Sequence, residues 1–283
     1  MRTYYYLAKP GIIYGNLIYA TAGFLLASKG DINFWLLVAT LLGTSMGIAS
    51  ACVFNNYIDR DIDQHMERTK KRALVQHTIP VKSALTYATV LGLVGYAILA
   101  VYTNWLTVLV GTIGFIVYVF LYTYGKRKTI YSTLIGSISG SAPPVAGYVA
   151  VTGSFDGAAL LLFLILTFWQ MPHFYAIAIY RIKDYKAANL PVLPVVKGIR
   201  ATKIQIIVYI AAFTVAVVML SVLGYTGWTY LVVVGAISLA WLRIAYQGLA
   251  AKNSEKWARS VFKFSLVVTL AFSFMLSVNA WLP

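Results

Sequence analysis

Acidic residues are scarce in this chain: 8 Asp and Glu stand against 23 Lys and Arg in 283 residues, a formal charge of +15. Charge of either sign is sparse, at 11% of residues, while 60% are hydrophobic and mean hydropathy is +0.76. A soluble domain of this size needs far more charged surface, so that class is excluded. Cysteine is limited to Cys52, inside an apolar run, which excludes a disulfide framework and a thiolate metal site. Low-complexity tracts and appended soluble modules are absent, and residues 1–283 read as a single membrane domain. Only Arg2 and Lys9 precede the first uncharged stretch. That is neither a cleavable signal nor an Arg- and Ser-rich presequence, and it leads us to expect a bacterial inner membrane.

What the sequence has instead is long runs without charge: Pro10–Ser28, Ile32–Ile58, Ser83–Gly125, Thr129–Phe155, Gly157–Tyr180, Ile204–Leu242 and Phe264–Pro283. A helix needs roughly 20 apolar residues to cross the hydrocarbon core. Two of the runs are about twice that length, and each has a turn signal near its middle, at Tyr102–Trp105 and Gly224–Trp228. Dividing them predicts spans near 11–28, 33–57, 84–102, 105–124, 130–151, 158–180, 204–224, 227–243 and 263–281. With the N-terminus in the cytoplasm, every Lys and Arg except Lys29 falls in a cytoplasmic segment, as the positive-inside rule requires. The basic pI is therefore a signal of orientation and of attraction to anionic membrane lipids. Nucleic acid is not expected as a partner, because the cations lie in short loops between spans.

The two long cytoplasmic loops, 59–83 and 181–203, begin alike and lie four helices apart, which hints at a pseudo-repeat with a site at its interface. Gly43/Gly47 and Gly136/Gly140 read as close helix packing. Pro143-Pro144 and Pro172 should kink or break spans 5 and 6. Broken backbone persists in a membrane only where protein or a cavity covers it, so the expected fold is an all-α bundle of nine transmembrane helices around a central cavity.

The densest polar site ends span 2. At 100° per residue, Asn55, Asp59 and Asp63 fall within about an 80° arc, while Asp61 points about 200° away from Asp59. Oxygen ligands on one face suit Mg²⁺, which takes one or two carboxylates with phosphate oxygens and water. The alternative is a solvated helix end whose acids pair with Arg60 and Arg68. Asn55 lies within the apolar span, where an amide needs a partner. The stripe also leads straight into Glu67-Arg68-Thr69-Lys70-Lys71-Arg72. That run serves orientation, yet beside a metal stripe it is also what a diphosphate needs. Lys126, where span 4 exits, and Lys9, before Pro10, are further cations for such a group. His173 is the one histidine deep in a span: a packed, hydrogen-bonded residue, or else a heme ligand or polar anchor for substrate.

These residues resemble the UbiA superfamily of intramembrane prenyltransferases. Its Asn-x-x-x-Asp-x-x-x-Asp signature is matched by Asn55, Asp59 and Asp63, with Arg68, Thr69 and Arg72 following, and its Tyr-x-x-x-Lys by Tyr122 and Lys126. Its second motif, Asp-x-x-x-Asp, is half kept, with Tyr180 at the first position and Asp184 at the second. That departure, with FNNYIDRDID, GSISGSAPPVAGY, WQMPHFYAIAIYRIKDY and NLPVLPVVKG, is similar to the branch that farnesylates heme. The resemblance covers essentially the whole chain. It implies a UbiA-type fold, Mg²⁺ on Asn55, Asp59, Asp63 and Asp184 as the catalytic set, diphosphate on Lys9, Arg68, Arg72, Tyr122 and Lys126, and heme at His173. The implied reaction moves the farnesyl group of farnesyl diphosphate, with water, to a vinyl group of heme b, giving heme O. It further implies a terminal oxidase as user of the product, with contact to that oxidase or to a heme A synthase. Two rivals remain: a UbiA-type enzyme with an aromatic or quinone-precursor acceptor, and a secondary transporter. A transporter would place its charges near the bilayer centre, whereas the acids here gather at one face.

Overall fold

The computed structural model describes residues 2–283, and among them the structure is helical without strands. Among the described residues nine helices are long and apolar enough to cross a membrane: Pro10–Ser28, Phe34–Ile58, Val81–Tyr102, Trp105–Gly125, Ser132–Thr152, Gly157–Tyr180, Gly198–Val222, Trp228–Gln247 and Ser254–Trp281, here spans 1 to 9. The expected set is all present. Spans 7 and 9 begin 6 and 9 residues earlier than expected, at Gly198 and Ser254 rather than near 204 and 263, because their first turns are charged and helical at once.

Sequence-local signals fix the helix starts. Asn33, Asn104 and Asp156 cap spans 2, 4 and 6 by accepting from backbone N–H groups of the first turn, and Asn253 does the same for span 9. Span 1 starts with Pro10 at its first position. Ahead of it Lys9 sits in the left-handed region at φ 56°, a conformation that costs a non-glycine residue about 1–3 kcal/mol. The short helix Arg2–Leu7 before it is pinned to span 2, where Asn56 Nδ2 donates to the Leu7 carbonyl at 2.8 Å.

Contacts at both ends confirm that the spans alternate. At one end the segments after spans 2, 4 and 6 meet: Arg127 bonds Asp61, and Met66 packs with Ala188 and Leu190. There too Lys203 donates to the Gly248 carbonyl at 2.7 Å. At the other end Asn104 reaches the Val149 carbonyl, and Thr229 N–H donates to the Pro283 carbonyl. All the Lys and Arg except Lys29 belong to the first end. Trp35, Trp105, Trp228 and Trp281, all exposed, ring the second, as interfacial tryptophans do.

Packing relies on small residues, since lipid tails leave no hydrophobic driving force between helices. Spans 1 and 5 cross so closely that a Cβ on Gly23 would run into the Pro144 carbonyl, and one on Gly147 into that of Ala20. Gly43 meets Gly95 and Leu99 of span 3, but Gly47 has open space and faces the cavity instead. Both members of this pair still let span 3 come close, since a Cβ on Gly95 would meet the Gly43 carbonyl and the Gly47 nitrogen. Span 5 is broken as expected: it is two helices, Ser132–Gly140 and Ala142–Thr152, with Pro143 and Pro144 in the first turn of the second. Span 6 is not broken: it runs helical from Gly157 to Tyr180 through Pro172. Within span 4, residues Val117–Tyr122 are wound as a π-helix. The matching pairs of the suggested repeat, spans 2 and 3 and spans 6 and 7, each pack side by side.

Candidate active site

The bundle encloses a cavity of about 940 Å³, reached from the charged end and lined mainly by spans 1, 2, 4, 5 and 6. Its charged groups gather at one end; the rest is lined by glycines, aliphatic side chains and aromatic rings, with Thr44, Ser139, Gln170 and His173 among them.

Span 2 delivers the oxygen stripe. Its last helical residue is Ile58, Asp59 is the cap, and the helix resumes at Arg60–Asp63. Asp63 N–H still donates to the Asp59 carbonyl at 2.9 Å, so Asn55, Asp59 and Asp63 stay on one face. Asp61 turns outward to a bidentate pair with Arg127 at 2.6 and 2.7 Å. That bond holds the Asp61 carboxyl below the usual range and raises the Arg127 guanidinium.

The stripe is not the solvated helix end that was its alternative. Asp59 is 1% exposed and Asp63 4%, and buried carboxylates demand partners. Asp63 pairs with Arg72, and Asp59 with Lys126 and more distantly with Arg127. The pairing with Arg60 that this alternative called for does not form: Arg60 lies over the Tyr57 ring, 4.3 Å from its centre. Asn55 is the hub. Its Nδ2 donates to Asp59 Oδ2 at 2.7 Å and to Thr123 Oγ1 at 2.9 Å, while its Oδ1 accepts from Lys9 Nζ at 2.7 Å and Tyr118 O–H at 3.4 Å.

The π-turn explains how span 4 reaches this hub. Thr123 Oγ1 donates to the Tyr118 carbonyl, five residues back, at 2.9 Å, satisfying a backbone acceptor of the widened turn. Within this π-turn Tyr118 and Tyr122 stack, ring centres 5.7 Å apart. Such turns recur at functional sites. Lys126 is half-enclosed, 5.6 Å from the Tyr122 ring centre. Burial pushes its ammonium down, with Asp59 opposing. Burial likewise brings Lys9 down to about 8.

Of the predicted site residues, Lys9, Asn55, Asp59, Asp63, Arg68, Arg72, Tyr122, Lys126 and His173 all line the one cavity. Asp184 does not. Its carboxylate turns to Arg181 at 3.4 Å, and Tyr185 takes the lining position. Three residues went unread in the sequence: Tyr118 and Thr123, which lie in an apolar-looking span, and Ser265, which lies in a run of small and aliphatic residues. Ser265 contacts His173 from span 9 at 2.7 Å.

The donor set can take a divalent ion. Among the described residues no three of His, Cys, Asp or Glu form a metal cage, yet Asp59 Oδ1 is buried without a hydrogen-bond partner. Two carboxylates and an amide oxygen, with room for phosphate oxygens, are what Mg²⁺ takes.

A membrane-embedded helical bundle with an oxygen stripe and cations at the mouth of an apolar cavity defines an enzyme for amphiphiles with an anionic, leaving head. Residues 16–267 match the UbiA prenyltransferase family, and the chain belongs to that family. A protoheme IX farnesyltransferase of Yersinia pseudotuberculosis is 56% identical over 99% of this chain and 95% of its own length. One of Photorhabdus laumondii is 54% identical over 100% and 97%. Among solved structures, the apo form of a UbiA homologue from Aeropyrum pernix superposes with a TM-score of 0.77 at 19% identity, covering 95% of this chain and 98% of that one. A UbiA homologue from Archaeoglobus fulgidus, bound to GPP and Mg²⁺, gives 0.72 at 16% identity, covering 97% and 99%. These likenesses establish the fold.

Proposed function

We propose that this chain transfers the farnesyl group of farnesyl diphosphate to a vinyl group of heme b, with addition of water, releasing diphosphate and giving heme O. The observation that carries this is the identity of more than half, along the whole length, with relatives that are protoheme IX farnesyltransferases. That acceptor does not favour an aromatic or quinone-precursor reading, and the acids at the cavity mouth do not favour a transporter.

Breaking the allylic C–O bond leaves negative charge on diphosphate and positive charge on carbon. Lys126, Arg72, Arg68 and Lys9 line the mouth and take up the anion. Asn55, Asp59 and Asp63 would hold Mg²⁺, which when bound adds positive charge beside the leaving group; Asp184, turned to Arg181, is left out of that set. The stacked faces of Tyr118 and Tyr122 favour the carbon cation. The apolar depth shelters the chain from bulk water. The new C–C bond joins the farnesyl carbon to the vinyl group; water then adds its oxygen to the adjoining carbon and gives up a proton. His173 is the candidate ligand for the heme iron.

The cationic end of the bundle fits a cytoplasmic face with the N-terminus inside, in a bacterial inner membrane. Anionic lipids there would neutralise the remaining loop cations. An apolar product suits direct handover to a terminal oxidase or a heme A synthase.

The deciding experiment is mass spectrometry of the porphyrin after purified protein is incubated with heme b, farnesyl diphosphate and Mg²⁺. A mass gain of farnesyl plus water, lost with a chelator, is expected. No porphyrin product from folded protein would move the assignment to another acceptor. A pH profile tests Lys9 separately. Its folded-state value near 8 means the ammonium is present below that pH and lost above it. The kcat/KM for farnesyl diphosphate should therefore fall above pH 8, as free-enzyme groups report there, and Lys9→Met should flatten that limb. An unchanged alkaline limb in Lys9→Met would remove Lys9 from diphosphate binding.

A further inference from the structure

We propose that Ser265 is the positioning residue that sets which nitrogen of His173 faces the cavity, so that an unprotonated Nε2 is offered to the heme iron. The inference rests on the heme reading above and adds a residue from a helix that contributes little else to the site.

The argument is one of hydrogen counting. Ser265 Oγ lies 2.6 Å from the Phe262 carbonyl and 2.7 Å from His173 Nδ1. A carbonyl oxygen has no hydrogen to give, so the single hydroxyl hydrogen of Ser265 goes to Phe262. The contact with His173 must then run the other way, with Nδ1–H donating to Oγ. In a neutral imidazole one nitrogen carries the hydrogen and the other a lone pair, so Nε2 has the lone pair. The ring lines the cavity, Nδ1 is turned away into span 9, and Nε2 has no hydrogen-bond partner among the described residues.

The ring has little freedom to turn over. Trp169 stacks on it with centres 4.7 Å apart and planes at 29°. Trp169 is itself held by Ser265, whose carbonyl accepts from Trp169 Nε1–H at 2.9 Å. Phe262 and Phe174 close the other sides, at 4.9 and 5.1 Å. One residue of span 9 therefore fixes both the imidazole and the indole that covers it. An iron-ligating histidine needs this: the hydrogen bond at one nitrogen decides the tautomer and the direction of the other. A histidine kept for packing alone would be as well served with its lone pair buried and its N–H toward the cavity.

The test is optical titration of heme b into purified wild type, His173→Ala, Ser265→Ala and Ser265→Thr, with farnesyl diphosphate affinity and the thermal midpoint measured alongside. The expected results are an imidazole-type axial spectrum in wild type, its loss in His173→Ala, and about a 10–100-fold weaker heme Kd with a changed axial spectrum in Ser265→Ala, the scale usual for a group that orients a metal ligand. Ser265→Thr keeps the hydroxyl and should restore the spectrum. Farnesyl diphosphate affinity and thermal midpoint should stay at wild-type values in Ser265→Ala, which a merely structural role would not allow. A wild-type spectrum and heme Kd in Ser265→Ala would overturn the role of Ser265 while leaving His173 as ligand. Identical spectra in wild type and His173→Ala would overturn the ligand reading and the proposal with it.

Discussion

Replacing Asp59 or Asp63 with Asn is expected to cut farnesyl transfer by about 10²-fold or more, the scale for removing charge that stabilises a leaving anion. Insertion should be untouched, because the nine apolar spans that drive it are unchanged. The substitution keeps size and one oxygen acceptor but removes the charge that Mg²⁺ needs. Asp59→Asn has a second effect to separate out. It strips the partner from Lys126, whose side chain is 14% exposed, and breaking a buried pair costs about 3–5 kcal/mol. Asp59→Asn combined with Lys126→Met removes both charges and should recover much of the thermal stability while activity stays lost. Turnover at the wild-type level in both single variants would end the metal role of the stripe.

Gly147→Ala should be among the most damaging single methyl groups in the bundle, lowering stability by about 3 kcal/mol or more, the upper end for overpacking. Its Cβ would enter the Ala20 carbonyl, and that backbone cannot swing aside as a side chain can. Spans 1 and 5 would have to part, and both line the cavity, so activity should fall with stability. Gly23→Ala strikes the same crossing from the opposite side, at the Pro144 carbonyl. Gly47→Ala is the control. Nothing lies within 4 Å of its added atom, so its thermal midpoint in detergent should match wild type. Equal midpoints for Gly147→Ala and Gly47→Ala would show that the crossing of spans 1 and 5 is looser than described.

Much of this architecture was legible in the sequence for a physical reason: hydrocarbon imposes one dominant constraint. Uncharged length located the spans, and the distribution of Lys and Arg grouped the loops. The 100° rule placed Asn55, Asp59 and Asp63 on one face and turned Asp61 away, and it worked because the bonds from Asp59 N–H to Asn55 and from Asp63 N–H to Asp59 carry the helical register across the cap at Asp59. That rule could not have served in span 4. A π-turn adds a residue that helical periodicity does not count, so Tyr118 and Thr123 could not be assigned to the face that meets Asn55. Spans 7 and 9 started late in the reading because hydropathy sees the membrane and not the helix, which runs on through Glu255, Lys256 and Arg259. Pro172 read as a kink or a break, and span 6 continues through it unbroken, while Pro143 and Pro144 did mark the end of one helix and the start of another. Ser265 was out of reach, since a contact across 92 residues leaves no mark on local pattern. Asp184 looked like a ligand by motif, and its own neighbour Arg181 claims it.

The pairing of Asp59 with Lys126 and of Asp63 with Arg72 bears on how the enzyme is made. Structural metal sites often tie folding to metal capture, because their ligands repel one another until the ion arrives. Here the carboxylates are matched by cations from the chain itself. Biogenesis can thus finish at the insertion stage, with the reaction centre assembled and electrically balanced before any ion or lipid diphosphate is at hand. On the proposed Mg²⁺ reading, a chelator is then expected to inhibit a mature protein reversibly and not to unfold it.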